Sequence, residues 1–122
     1  MPRKITSNIK KTNGDAAERI AEHFLTQQGY VLLERNFNSK VGEIDLIMRS
    51  GHTYVFVEVR YRANSSRGSA SESVTHYKYQ RCLKTAQYWL MKNNLANSQF
   101  QIDVVAIDGR LRADNITWLA AV

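Results

Sequence analysis

Apolar residues along the 122-residue chain recur with two periods, and the switch between them marks out the elements. Ala16, Ala17, Ile20, Ala21, Phe24 and Leu25 return every three or four residues, which predicts a helix from Asp15 onward, and Gly29 stands where that helix would end. Residues 30–37, YVLLERNF, open apolar and β-prone and read as a strand. Alternation predicts a second strand over 42–48 and a third over 53–61, joined by the tetrad RSGH turning around Gly51. Three strands with short links imply an antiparallel meander.

Residues 62–73, RANSSRGSASES, have no apolar period and read as a flexible loop carrying Arg62 and Arg67. A second helical stripe follows in Tyr79, Cys82, Leu83, Ala86, Trp89 and Leu90, with Lys78, Arg81, Lys84 and Lys92 on the other positions. Residues 100–107, FQIDVVAI, form a strong strand pattern before the turn pair Asp108-Gly109, and 116–119 can supply a last strand. The order is helix, three strands, helix, strand, strand. A right-handed crossover through the second helix would set the fourth strand parallel to a meander strand, giving an α/β fold with a mixed sheet.

Composition narrows the class of protein further. Seventeen Lys and Arg against eleven acids leave a formal charge of +6, which favours a polyanionic partner. Residues 1–13 carry Arg3, Lys4, Lys10 and Lys11 without an apolar period and are expected to be a mobile basic tail before a single domain over 14–122. Cys82 is alone, so no internal disulfide is possible. No apolar run approaches the roughly 18 residues of a membrane span, and the first residues lack the apolar core of a signal peptide; a soluble, cytoplasmic protein is expected.

The chemistry concentrates in GEIDLIMRSGHTYVFVEVRYR, residues 42–62. Side chains alternate along a strand, so Glu43, Asp45 and Ile47 share one face while Ile44, Leu46 and Met48 share the other. Phe56, Glu58 and Arg60 likewise share a face. A turn centred on Ser50 and Gly51 pairs Asp45 with Phe56; a turn one residue later pairs it with Glu58. Either register leaves the two acids within about 8 Å on one face. Such acids repel and need a positive partner, either a hard divalent cation or Arg60 in an ion-pair network.

An Asp on one strand followed by Glu-x-Lys on the next resembles the PD-(D/E)xK nucleases. GEIDLI followed by FVEVRYR, with KYQRCLKTAQYWL and QIDVVAID, resembles the YraN-type family of small bacterial proteins from Gly14 to Trp118. The resemblance implies a restriction-endonuclease-like core related to Holliday junction resolvases. It implies Mg²⁺ or Mn²⁺ held by Asp45 and Glu58, Glu18 in support, and Arg60 in the lysine's place. Arginine stabilises charge but is never deprotonated, so it cannot be the base. Ile44 also stands where the pattern has proline. The implied partner is structured or branched DNA, held by Arg62, Arg67, Lys78 and Arg81, with a homodimer as the implied assembly. The alternative is a non-catalytic nucleic-acid-binding or adaptor protein that keeps the fold.

Other polar residues read more simply. Glu43 suits a solvated strand position, Asp103 suits structural support within its strand, and His23, His52 and His76 lack metal-ligand spacing. Tyr77, Tyr79 and Tyr88 are of a type that can stack on bases, but at helical spacing they read as packing residues.

Overall fold

A computed structural model of the chain describes residues 2–122, with side chains from Thr12 onward. Its elements are α1 (Pro2–Gln27), β1 (Val31–Asn38), β2 (Glu43–Ser50), β3 (Thr53–Arg62), α2 (His76–Lys92), β4 (Phe100–Asp108) and β5 (Ile116–Leu119). The order matches the one expected. The first helix, however, begins at Pro2, so the basic segment 1–13 read as a tail overlaps it, and among the residues whose side chains are described the first buried one is Ala17. Mobility of that segment stays an expectation.

The five strands lie in the order β1-β2-β3-β4-β5. β1, β2 and β3 form the antiparallel meander, β3 and β4 run parallel through the α2 crossover, and β5 returns antiparallel to β4. α1 covers one face of the sheet, packing Ala21 and Leu25 on Leu46, Met48, Val55, Val57 and Val105. α2 covers the other with Cys82, Ala86, Trp89 and Leu90 on Ile47, Phe56 and Ile102. Burying a side chain of this size contributes about 1.5 to 3 kcal/mol, so the two apolar layers hold the sheet between the helices. Trp118 packs edge-on against Phe24 of α1 at 5.8 Å, as expected for a residue joining helix to sheet.

Asp103 lies on β4 with no exposed surface. Its carboxylate accepts four hydrogen bonds: from the Tyr30 hydroxyl at 2.8 Å, Trp118 Nε1 at 3.0 Å, Gln101 Nε2 at 2.8 Å and the Ala121 amide at 2.9 Å. Fully satisfied, it ties the segment after α1 and the C-terminal strand to the middle of the sheet. Structural support is therefore its role. Tyr30, in turn, is held well above the ordinary phenol range by burial first and by Asp103 second.

The loop after β3 carries more structure than its sequence suggested. Ala70 is completely buried, its amide donates to Asp108 Oδ1 at 2.7 Å, and Ser71–Ser73 form a single 3₁₀ turn. An alanine and an aspartate 38 positions apart gave no periodic signal of this tie.

Candidate functional site

The β2–β3 hairpin closes tightly at one end and opens at the other. Ser50 pairs with Thr53, leaving Gly51 and His52 as a two-residue turn, and Gly51 takes φ +58 at its first central position. That turn selects the later of the two registers, in which Asp45 stands across from Glu58. Backbone pairing runs only as far as Leu46 with Val57. Beyond it the Val59 amide donates to Asp45 Oδ2 at 2.7 Å, so a side chain occupies the place of the next ladder partner.

One expected alternation fails at this point. Leu46 and Met48 share a face as predicted, the one under α1, but Ile44 joins the cluster under α2 together with Phe37. β2 therefore turns at Asp45. Two backbone features accompany the bend: Asn36 on the neighbouring strand adopts φ +51, and Gly42 passes so close to α2 that an added Cβ would lie 2.6 Å from Thr85 Oγ1. A side chain at Gly42 would push the start of β2 off the helix.

The open end of the hairpin forms a cleft of about 430 Å³, lined by Asp45, Glu58, Arg60, Tyr77, Lys78 and Arg81 among others. Parity holds here, since β3 sends Tyr54 and Phe56 to the α2 side and continues with Glu58 and Arg60. Burial raises the proton affinity of Asp45, and the Glu43 charge adds to it, against the Val59 amide and Arg60. Burial also raises Glu58, reinforced by Asp45, against Arg60 and Lys78. Arg60 comes within 3.5 Å of Glu58, yet the net shift of both acids is upward. The nearby cations do not offset the burial of two facing carboxylates.

Arg60 is held rather than free. Its Nε donates to Ser73 Oγ at 2.8 Å, and that hydroxyl donates to the Ala70 carbonyl, within the segment tied down by Asp108. Ser73 escaped the sequence reading because only the folded loop returns it to β3. Lys78 and Arg81 reach the cleft from the first turns of α2, where Thr75 caps the helix by accepting from the Lys78 amide at 3.2 Å. Cys82 lies at the cleft wall, and burial pushes its thiol up to about 12 with help from Glu58 and Asp45, so it stays protonated.

The remaining candidates lie apart from this cleft. Glu18 lines a separate cavity beside α1 with Asn36 and Leu46. It is still electrically joined to the acids: burial and then the Asp45 charge raise it to about 7, while the Asn36 amide opposes. Arg62 donates to the Arg67 carbonyl at 3.1 Å, and both line another cavity near Gly14. Among the described residues, no three His, Cys, Asp or Glu side chains converge as a ready metal-binding group. No helix among them is long and apolar enough to cross a membrane.

Fold and site define an α/β protein with the element order and mixed sheet of a nuclease-like core, its acids paired where the central hairpin opens. The chain belongs to uncharacterised protein family UPF0102, whose model matches residues 17–107. It is 46% identical over 112 residues to a UPF0102 protein of Marinomonas sp. (strain MWYL1), covering 92% of this chain and 88% of the relative. A UPF0102 protein of Aliivibrio salmonicida is 45% identical over 112 residues, covering 90% of this chain and 89% of its own. One from Vibrio cholerae is 44% identical over 108 residues, covering 87% of each chain.

Proposed function

We propose that the protein is a metal-dependent nuclease-like enzyme that hydrolyses phosphodiesters in structured or branched DNA. The observation that carries this reading is the facing pair Asp45 and Glu58, whose raised proton affinity persists beside Arg60. Two half-buried carboxylates short of positive charge suit Mg²⁺ or Mn²⁺, which accept one or two carboxylates and keep water in their remaining positions. Such a cation supplies a water of lowered pKa and polarises a phosphate oxygen. Asp45 is oriented for this by Val59, which occupies one of its oxygens. Glu18, coupled to Asp45 by charge, supports the same site from the α1 side. Arg60, fixed by Ser73, stabilises charge developing on the phosphate, and Lys78 and Arg81 hold the nucleic-acid backbone with Arg62 and Arg67 further along.

A second reading is favoured by one observation: Arg60 is committed to Ser73 and Glu58, and arginine cannot act as a base. On that reading the protein binds nucleic acid without cutting it. Incubation with linear, flapped and four-way DNA in Mg²⁺ or Mn²⁺ separates the two. Cleavage by the wild type that disappears in an Asp45→Ala, Glu58→Ala double variant is expected. Binding without cleavage under every metal would establish the second reading, and equal cleavage by the double variant would remove both acids from the mechanism.

A further inference from the structure

Four aromatic residues lie along α2, and three of them pack. Trp89 is buried in the core, while Tyr79 and Tyr88 lie against the same cluster. Tyr77 is 68% exposed, which overturns its reading as a packing residue. Tyr77 lies well round the helix from the buried stripe of Cys82, Thr85, Ala86, Trp89 and Leu90, and Tyr88, three turns on at nearly the same angle, is covered by Phe37 of β1 with ring centroids 6.4 Å apart. Tyr77 instead lines the carboxylate cleft with Lys78 and Arg81. Tyr77 and Arg81 are one turn apart, so ring and guanidinium lie on the same side of the helix.

Cations beside a flat aromatic face match the two halves of a nucleotide, the phosphate and the base. A base inside a duplex already has both faces stacked on its neighbours, so a protein ring can reach only a base that has left the stack. We propose that Tyr77 is a stacking platform for an unpaired nucleobase next to a phosphate held in the cleft, and that it makes the site prefer strands with unpaired nucleotides over continuous duplex. The proposal rests on the reading that the cleft binds nucleic-acid phosphate. It adds the feature that would select branched or single-stranded regions.

The test compares binding of a short fluorescent oligothymidylate and a blunt duplex of equal length, at one salt concentration and in EDTA, by wild type, Tyr77→Ala and Tyr77→Phe. A base–aromatic stack is worth about 1 to 3 kcal/mol, so Tyr77→Ala should weaken single-strand binding by at least about fivefold while leaving duplex binding unchanged. Tyr77→Phe should bind like wild type. A pair of arms with oligodeoxyuridylate and oligouridylate, which differ only at the 2′ position, distinguishes the source of the base, the tighter of the two naming deoxyribose or ribose nucleic acid. Equal losses on single strand and duplex, or none on either, would overturn the role of Tyr77 while leaving phosphate binding intact. A wild type that binds neither strand nor duplex would overturn the phosphate reading as well.

Discussion

Asp103 and Asp45 are both aspartates within the sheet, and the groups around them differ in kind. Asp103 is completely buried and accepts four hydrogen bonds from neutral donors on separate parts of the chain. Asp45 accepts one backbone hydrogen bond and faces Glu58, with the charges of Glu43 and Glu18 acting nearby. The first environment satisfies a carboxylate and spends it on structure. The second gathers acids at the place where a strand pair comes apart, which costs stability unless something positive arrives. Hydrogen-bond saturation, more than depth of burial, separates the structural acid from the candidate site.

The largest effect should come from removing the satisfied acid. Asp103→Ala leaves Tyr30, Trp118, Gln101 and the Ala121 amide without their acceptor, and should cost about 3 to 5 kcal/mol in urea unfolding. A loss below about 1 kcal/mol would show that the network is not a structural tie.

The open end of the hairpin should respond with the opposite sign. Asp45 and Glu58 bind protons more tightly in the folded chain than in the unfolded one, so their contribution to stability is full below the unfolded carboxylate range, near pH 4. It is lost as pH rises through the raised folded values, about 6 for Asp45 and about 7 for Glu58, with Glu18 also at about 7. Without divalent metal, wild-type stability attributable to these acids should therefore fall between pH 4.5 and pH 7. Asp45→Asn or Glu58→Gln should flatten that fall and leave the variant more stable than wild type on its alkaline side, by on the order of 1 kcal/mol. Urea melts across the range check this, and variants destabilised at every pH would mean that the pair is already compensated.

Period-two alternation placed Asp45, Glu58 and Arg60 on one face before any contact was known, because strand parity survives a change of register by two. The choice of register needed the turn, and Gly51 settled it with a left-handed first position. Three features were not legible. Ile44 breaks the alternation because β2 bends where it leaves β3, and a bend has no signature in a hydrophobic pattern. Ser73 reaches Arg60 through a loop whose anchor, Asp108, is a distant strand residue. Tyr77 stands at nearly the same helical angle as Tyr88, and only the fold shows that Phe37 of β1 covers Tyr88 while Tyr77 faces solvent. Glu18 feels the Asp45 charge, but it lines its own cavity beside α1, a separation that helical spacing does not show.

The metal assignment is tested most directly by a Mn²⁺ titration followed through thermal unfolding, at a pH above the raised carboxylates, with wild type beside Asp45→Ala, Glu58→Ala. A saturable rise in Tm for wild type and none for the double variant is the expected result. No rise in wild type, or the same rise in both proteins, would contradict a cation held by Asp45 and Glu58.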